Sequence, residues 1–213
     1  MEQFLEFLPS IMLAYGAFFL TVLSPGPNVL AIMGTSMGVD RRSGLALGMG
    51  VAAGTVFWAS LSAIGLSQFI ASYAWTLIVI KIVGAFFLLW LAYKAFRSAA
   101  SPHVIEARTL DGDRRGRLGY FLNGFAINVS NPKAALAWVA IISLGLAPDS
   151  PTWVAAALVV GTTLISIICH AVYAIVFSTA PLIAMYARAR RWIQGALGTF
   201  FAYAGIQLLV SRS

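Results

Sequence analysis

Charge is scarce in this chain. Of its 213 residues only 10% are charged and 60% are hydrophobic, where a soluble domain carries about 25% charged residues. So few charges cannot cover a water-facing surface of this size. The mean hydropathy of +0.87 points the same way, and lipid must be the solvent for most of the surface. There is one cysteine, Cys169, which excludes an intrachain disulfide and a cysteine-built metal centre. The histidines number two, His103 and His170, and no zinc, phosphate-loop or nucleophilic-triad pattern is present. The sequence therefore supports neither an enzyme nor a bound cofactor or metal. The acids are Glu2, Glu6, Asp40, Glu106, Asp111, Asp113 and Asp149, none in the middle of an apolar run. An ordinary carboxylate relay for protons across the membrane thus lacks its parts.

What the chain has is long apolar segments. The first covers 9–38 and is interrupted at Ser24-Pro25-Gly26-Pro27-Asn28; the second covers 43–66 and the third 73–96. The fourth covers 118–146, interrupted at Ser130-Asn131-Pro132; the fifth covers 151–177 and the sixth 192–210. Most reach the roughly 20 residues that a bilayer core requires. Met1-Glu2-Gln3-Phe4 has acid where a signal peptide needs base, so the first segment is expected to be retained. The net charge of +7 would raise nucleic acid in a soluble protein. Here the cations stand in short runs between apolar segments, where they set orientation. Eleven of them (Arg41, Arg42, Lys94, Arg97, Arg108, Arg114, Arg115, Arg117, Arg188, Arg190 and Arg191) fall on one side, against Arg212 on the other. The positive-inside rule makes the eleven cytoplasmic and puts both termini outside.

The two halves resemble each other. Ser24-Pro25-Gly26-Pro27-Asn28 matches Ser130-Asn131-Pro132-Lys133, Gly54-Thr55-Val56 matches Gly161-Thr162-Thr163, and Gly84-Ala85-Phe86-Phe87 matches Gly198-Thr199-Phe200-Phe201, in the same order. Three spans per half is an odd number, so the second half must enter the membrane upside down. The expected fold is an all-α membrane protein of six transmembrane helices, arranged as two inverted three-helix repeats with helices one and four broken. The halves are 1–97 and 118–213, joined by a cytoplasmic linker at 98–117. Proline removes a backbone donor and disfavours helix before it. Unwound backbone is tolerated in lipid only when it is buried in protein or lines a wet cavity. Two such breaks, both rich in serine and asparagine, predict a substrate path at the repeat interface. Gly44, Gly48, Gly50 and Gly54 give small-residue spacings suited to close helix packing, and such faces suit a homodimer.

The chain resembles the LysE/RhtB family of amino-acid exporters over nearly its whole length. The resemblance rests on Leu23-Ser24-Pro25-Gly26-Pro27-Asn28, Gly44-Leu45-Ala46-Leu47-Gly48, Lys81-Ile82-Val83-Gly84-Ala85 and Asn128-Val129-Ser130-Asn131-Pro132-Lys133. It implies a bacterial inner-membrane exporter of amino acids or related small metabolites, driven by the proton gradient. The substrate-binding set is then Ser24, Pro25, Gly26, Pro27, Asn28, Asn128, Ser130, Asn131, Pro132 and Lys133.

Lys133 follows a helix break inside an apolar run, and a charge there faces a pathway or a partner. It serves either to attract a substrate carboxylate or to cap a nearby carbonyl end. His170 lies within a span and is a candidate coupling group, since an imidazole titrates near cytoplasmic pH; the alternative is a neutral histidine bonded to a neighbouring helix. Lys81 and Asp40 are further coupling or gating candidates, with a local ion pair as the alternative for Asp40. A substrate ammonium would be held by backbone carbonyls, serine, asparagine or aromatic faces. The rival readings are a channel or pore, and a membrane scaffold in which the breaks are packing features.

Overall fold

The computed structural model describes residues 2–24, 26–72, 74–101, 116–146 and 150–210. Among them the chain is helical and contains no strand. The helices are α1 (Glu2–Leu23), α2 (Pro27–Gly38), α3 (Arg41–Ser72), α4 (Ala74–Ala100), α5 (Arg117–Val129), α6 (Pro132–Gly145), α7 (Thr152–Val176) and α8 (Ala180–Val210). Among the described residues five stretches are long and apolar enough to cross a bilayer: Leu5–Leu23, Arg41–Ile64, Ile82–Ala100, Thr152–Val176 and Arg188–Val210. The pair α5–α6, bent by 63° at its junction, supplies a sixth when taken as one span. Large apolar side chains such as Phe86, Leu118, Leu164 and Ile206 are exposed. This periphery suits a chain that faces hydrocarbon.

Three boundaries differ most from those read in the sequence, the first being the end of α3, which runs on to Ser72 rather than stopping at 66. The first helix begins at Glu2 rather than near Pro9, and Pro9 lies inside it. The last helix begins at Ala180, so Arg188, Arg190 and Arg191 are helical rather than a loop before the span. Arginine is a good helix former, and Arg190 finds a partner on the neighbouring helix: its Nη2 donates to the Ser98 carbonyl at 3.0 Å and to Ser98 Oγ at 3.1 Å. The linker residues 102–115 lie outside the described residues.

Helix α4 packs along α8, and α3 packs against α5 and α7. Helix α6 lies between α1 and α4, and α2 runs against α3 and α7. One apolar cluster joins Phe18, Leu88, Trp138, Ile141, Leu158 and Phe201. A second joins Ile32, Leu47, Val51, Tyr173 and Phe177.

The α3 glycines are used for close approach. A Cβ on Gly50 would overlap the Phe121 carbonyl oxygen, and one on Gly124 would overlap that of Leu47. The α3 and α5 backbones are therefore in direct contact at both places. Gly44 makes room for Ser36 of α2, and Gly48 for His170 of α7. The small-residue spacings are thus accounted for within one chain. Replacing Gly124 with alanine forces these backbones apart, and overpacking of this kind costs roughly 1–3 kcal/mol. Thermal unfolding of the detergent-purified protein is expected to shift down for Gly124→Ala. Gly195→Ala, inside α8 where a Cβ meets nothing within 4 Å, is the control expected to melt at or above the parent.

Candidate functional site

The site begins at two interruptions. Helix α1 ends at Leu23, where the Ser24 N–H still bonds the Leu20 carbonyl at 3.0 Å. Pro25 lies outside the described residues. Gly26 is extended and precedes α2, with Pro27 in the first turn and no side-chain cap. Helix α5 ends at Val129, followed by Ser130 and the extended Asn131, with Pro132 opening α6. Asn131 caps α6, because its Oδ1 accepts from the Lys133 N–H at 3.0 Å. Proline costs nothing at such a first turn, where its missing N–H would have no intrahelical partner.

The structure brings these segments together. Asn131 Nδ2 donates to Asn28 Oδ1 at 3.2 Å, joining residues over a hundred positions apart. Lys133 reaches across to the end of α1, where its Nζ donates to the carbonyls of Ser24 at 2.9 Å and Thr21 at 3.3 Å. The last carbonyls of a helix have no partner in the helix, and a cation there is favoured by the helix dipole. An ammonium has three donors, so one N–H of Lys133 remains beyond these two bonds. The Lys133 side chain passes beside Gly26, where a Cβ would meet it at 3.4 Å, in ordinary contact.

Two cavities meet at Lys133. The inner one holds about 50 Å³ and is lined in part by Asn28, Thr55, Asn128, Asn131, Lys133 and His170. Phe18 and Trp138 also line it, and their rings lie 5.4 Å apart. The larger cavity, about 410 Å³, shares Ser24, Gly26, Asn131 and Lys133 with it and extends past Pro27, Trp90, Lys94, Ser98 and Gln194.

A polar thread runs behind the wall of the inner cavity, between Thr55 and His170, which both line it. Thr55 Oγ1 lies 3.0 Å from Ser166 Oγ, and Ser166 Oγ lies 3.1 Å from His170 Nδ1. His170 Nδ1 is also 2.8 Å from the Ser166 carbonyl. A carbonyl can only accept, so Nδ1 carries a proton and a neutral ring keeps its lone pair on Nε2. The Asn128 side chain is buried beside Gly54, which leaves room for it, and its Oδ1 has no hydrogen-bond partner. A buried acceptor without a partner is costly unless water or a ligand meets it.

The remaining sequence candidates lie elsewhere. Ser130 is exposed and turns its Oγ back to the Ala126 carbonyl at 2.6 Å. The side chains of Lys81 and Pro132 fall outside the described residues. Asp40 is away from the breaks, beside Arg41, Arg42 and Arg117 at the starts of α3 and α5. Its Oδ1 accepts from the Ser43 N–H at 2.8 Å and its Oδ2 from Ser43 Oγ at 2.9 Å. These bonds hold its carboxyl below the usual carboxylate range. The capping bonds are therefore intact at neutral pH and are lost only as pH falls through that lowered value. Sequence reasoning does not place Thr21, Thr55, Ser166, Trp90, Lys94 or Gln194 at the site. Thr162, Ser166 and His170, four residues apart in an apolar helix, are the signal that could flag Ser166.

Comparison with known proteins supplies the family. The chain is 30% identical over 202 residues to the threonine efflux protein of Salmonella typhi, covering 90% of this chain and 93% of that one. It is 29% identical over 203 residues to the uncharacterized membrane protein YahN of Escherichia coli K12, covering 95% and 90% respectively. The homoserine/homoserine lactone efflux protein of Salmonella typhimurium is 28% identical over 200 residues, covering 89% and 91%. No solved structure matches the chain. The profile of the LysE type translocators matches residues 19–212, which is nearly the whole sequence, and the chain therefore belongs to the LysE type translocator family.

Proposed function

We propose that this protein exports a free amino acid, or a close relative of one, across the bacterial inner membrane in exchange for protons, with the solute bound where the two helix breaks meet. The observation that carries this reading is the pairing of charges and acceptors across the inner cavity. Lys133 has a donor left, and the start of α2 is uncapped, so both favour a carboxylate. Asn128 Oδ1 is a buried acceptor without a partner, suited to an ammonium. Together they complement a zwitterion. His170 is the titratable imidazole beside them and carries the coupling proton.

In this reading the halves are inverted repeats, with α1–α2 equivalent to α5–α6, α3 to α7, and α4 to α8. The packing of α3 on α7 and of α4 on α8 supports it, since each pairs equivalent members. So does the α3–α5 contact, which has a counterpart in α1–α7. The cation asymmetry makes the basic ends cytoplasmic and both termini periplasmic. The larger cavity, with Lys94 and Ser98 at the C-terminal end of α4, then opens inward. The 50 Å³ inner cavity has room for only a few water molecules. Admitting a solute requires the halves to move, as alternating access demands.

The named relatives make threonine and homoserine the first solutes to try. Purified protein in proteoliposomes loaded with a panel of radiolabelled amino acids is expected to release at least one of them faster when the outside is made acid. Release that is indifferent to the proton gradient would mark a passive pore, and no release of any solute would leave a scaffold.

A further inference from the structure

The larger cavity is more than a passage. Its volume of about 410 Å³ lies in the range of small-molecule sites, so it accommodates a free amino acid that the inner cavity cannot enclose in this conformation. Its described lining contains Lys94 and Lys133 but no aspartate or glutamate. Lys94 Nζ stands over the Trp90 ring, 4.8 Å from its centre, which holds the ammonium at the cavity wall. Across from α4, Gln194 of α8 is 1% exposed, and its Nε2 has no hydrogen-bond partner. A buried amide donor left unmade is unfavourable, so this group is completed by something that enters the cavity. The two ammonium groups and the open amide donor together select an acceptor with negative charge.

We infer that Lys94 and Gln194 form a second solute site, an inner vestibule that captures the carboxylate of the exported amino acid before it passes to Lys133. This rests on the proposed export function. The two cations stand at successive points along one cavity, so the carboxylate moves from an exposed ammonium to a buried one without meeting a like charge. The same field disfavours solutes with a net positive charge, such as lysine or arginine.

The test uses wild type, Lys94→Gln, Lys94→Arg, Gln194→Leu and Lys133→Met in proteoliposomes, with threonine and the rest of the amino-acid panel as probes at graded internal concentrations. Lys94→Gln and Gln194→Leu are expected to raise the half-saturating internal concentration about threefold, with the maximal rate changed by less than twofold. An exposed charge makes a contribution of about this size at Lys94, and a neutral amide hydrogen bond does so at Gln194. Lys94→Arg restores wild-type behaviour. Raising internal salt moves wild type toward the Lys94→Gln value and leaves Lys94→Gln unmoved, since exposed charges are screened; a merely structural lysine would not produce this. Wild-type half-saturation in both Lys94→Gln and Gln194→Leu, while Lys133→Met is inactive, would overturn the vestibule site and leave the export reading standing. A fall in maximal rate at unchanged half-saturation would also overturn it. A wild-type protein that moves no member of the panel overturns both.

Discussion

Lys133→Met is expected to lower efflux by roughly ten- to a hundredfold at equal protein in the membrane. A charge-assisted hydrogen bond contributes roughly 1.5–3 kcal/mol, which is about one to two decades in affinity. Methionine keeps most of the apolar stem and removes the charge. The structure adds a consequence, because the lysine also bonds the Ser24 and Thr21 carbonyls at the end of α1. Losing it strands these acceptors even as it relieves the cost of burying the ammonium. A modest drop in thermal stability should therefore accompany the loss of transport. Lys133→Arg keeps the charge, but a planar fork does not reproduce a point charge shared between the Ser24 and Thr21 carbonyls. It should transport less than wild type. Normal efflux by Lys133→Met at equal membrane level would reduce this residue to a helix-end cap.

His170→Gln is expected to uncouple export from the proton gradient while leaving solute exchange intact. Each pH unit is worth about 1.4 kcal/mol per proton, so one coupled proton sustains about a tenfold solute gradient per unit of imposed pH difference. In the proposed exchange protons enter as the solute leaves; acidifying the outside should therefore speed wild-type efflux, and the variant should lose that response. His170 is chosen because the described lining of the inner cavity contains no carboxylate, and its Nδ1 is held by Ser166 so that Nε2 is left to take the proton. Glutamine retains hydrogen bonding to the Ser166 segment without titrating. Efflux that still accelerates with external acid in His170→Gln, at an unchanged slope, would move the coupling to another group.

How much of this was legible depends on the residue type that carries it. The breaks at Pro27 and Asn131-Pro132 can be read directly, because proline lacks a donor and a capping asparagine has a local signature. The start of α8 at Ala180 could not be read, because a run of arginines resembles a loop until Ser98 is seen to receive Arg190. Asn28, Asn131 and Lys133 stand out as polar groups in apolar surroundings. The partners of Lys133 do not, since they are backbone carbonyls, which every residue has. Lys94 and Gln194 look like ordinary helix positions, and only the packing of α4 on α8 makes them two walls of one cavity.

The sequence by itself determined that the chain is built of long apolar segments and that prolines interrupt two of them. These follow from composition and from local backbone chemistry, which act over a few residues. That the two breaks share one path was an expectation from the sequence; the tertiary structure supplied the contact itself, Asn131 to Asn28, and the meeting of Thr55 of α3 with Ser166 of α7. It also decided that Lys133 spends two of its donors on the end of α1 and that the buried amides of Asn128 and Gln194 are left with an unpaired atom each. Those outcomes depend on how closely helix backbones approach, and that is set where Gly50 and Gly124 let α3 and α5 touch. Contacts between residues a hundred positions apart are a property of the packing, which no local pattern encodes.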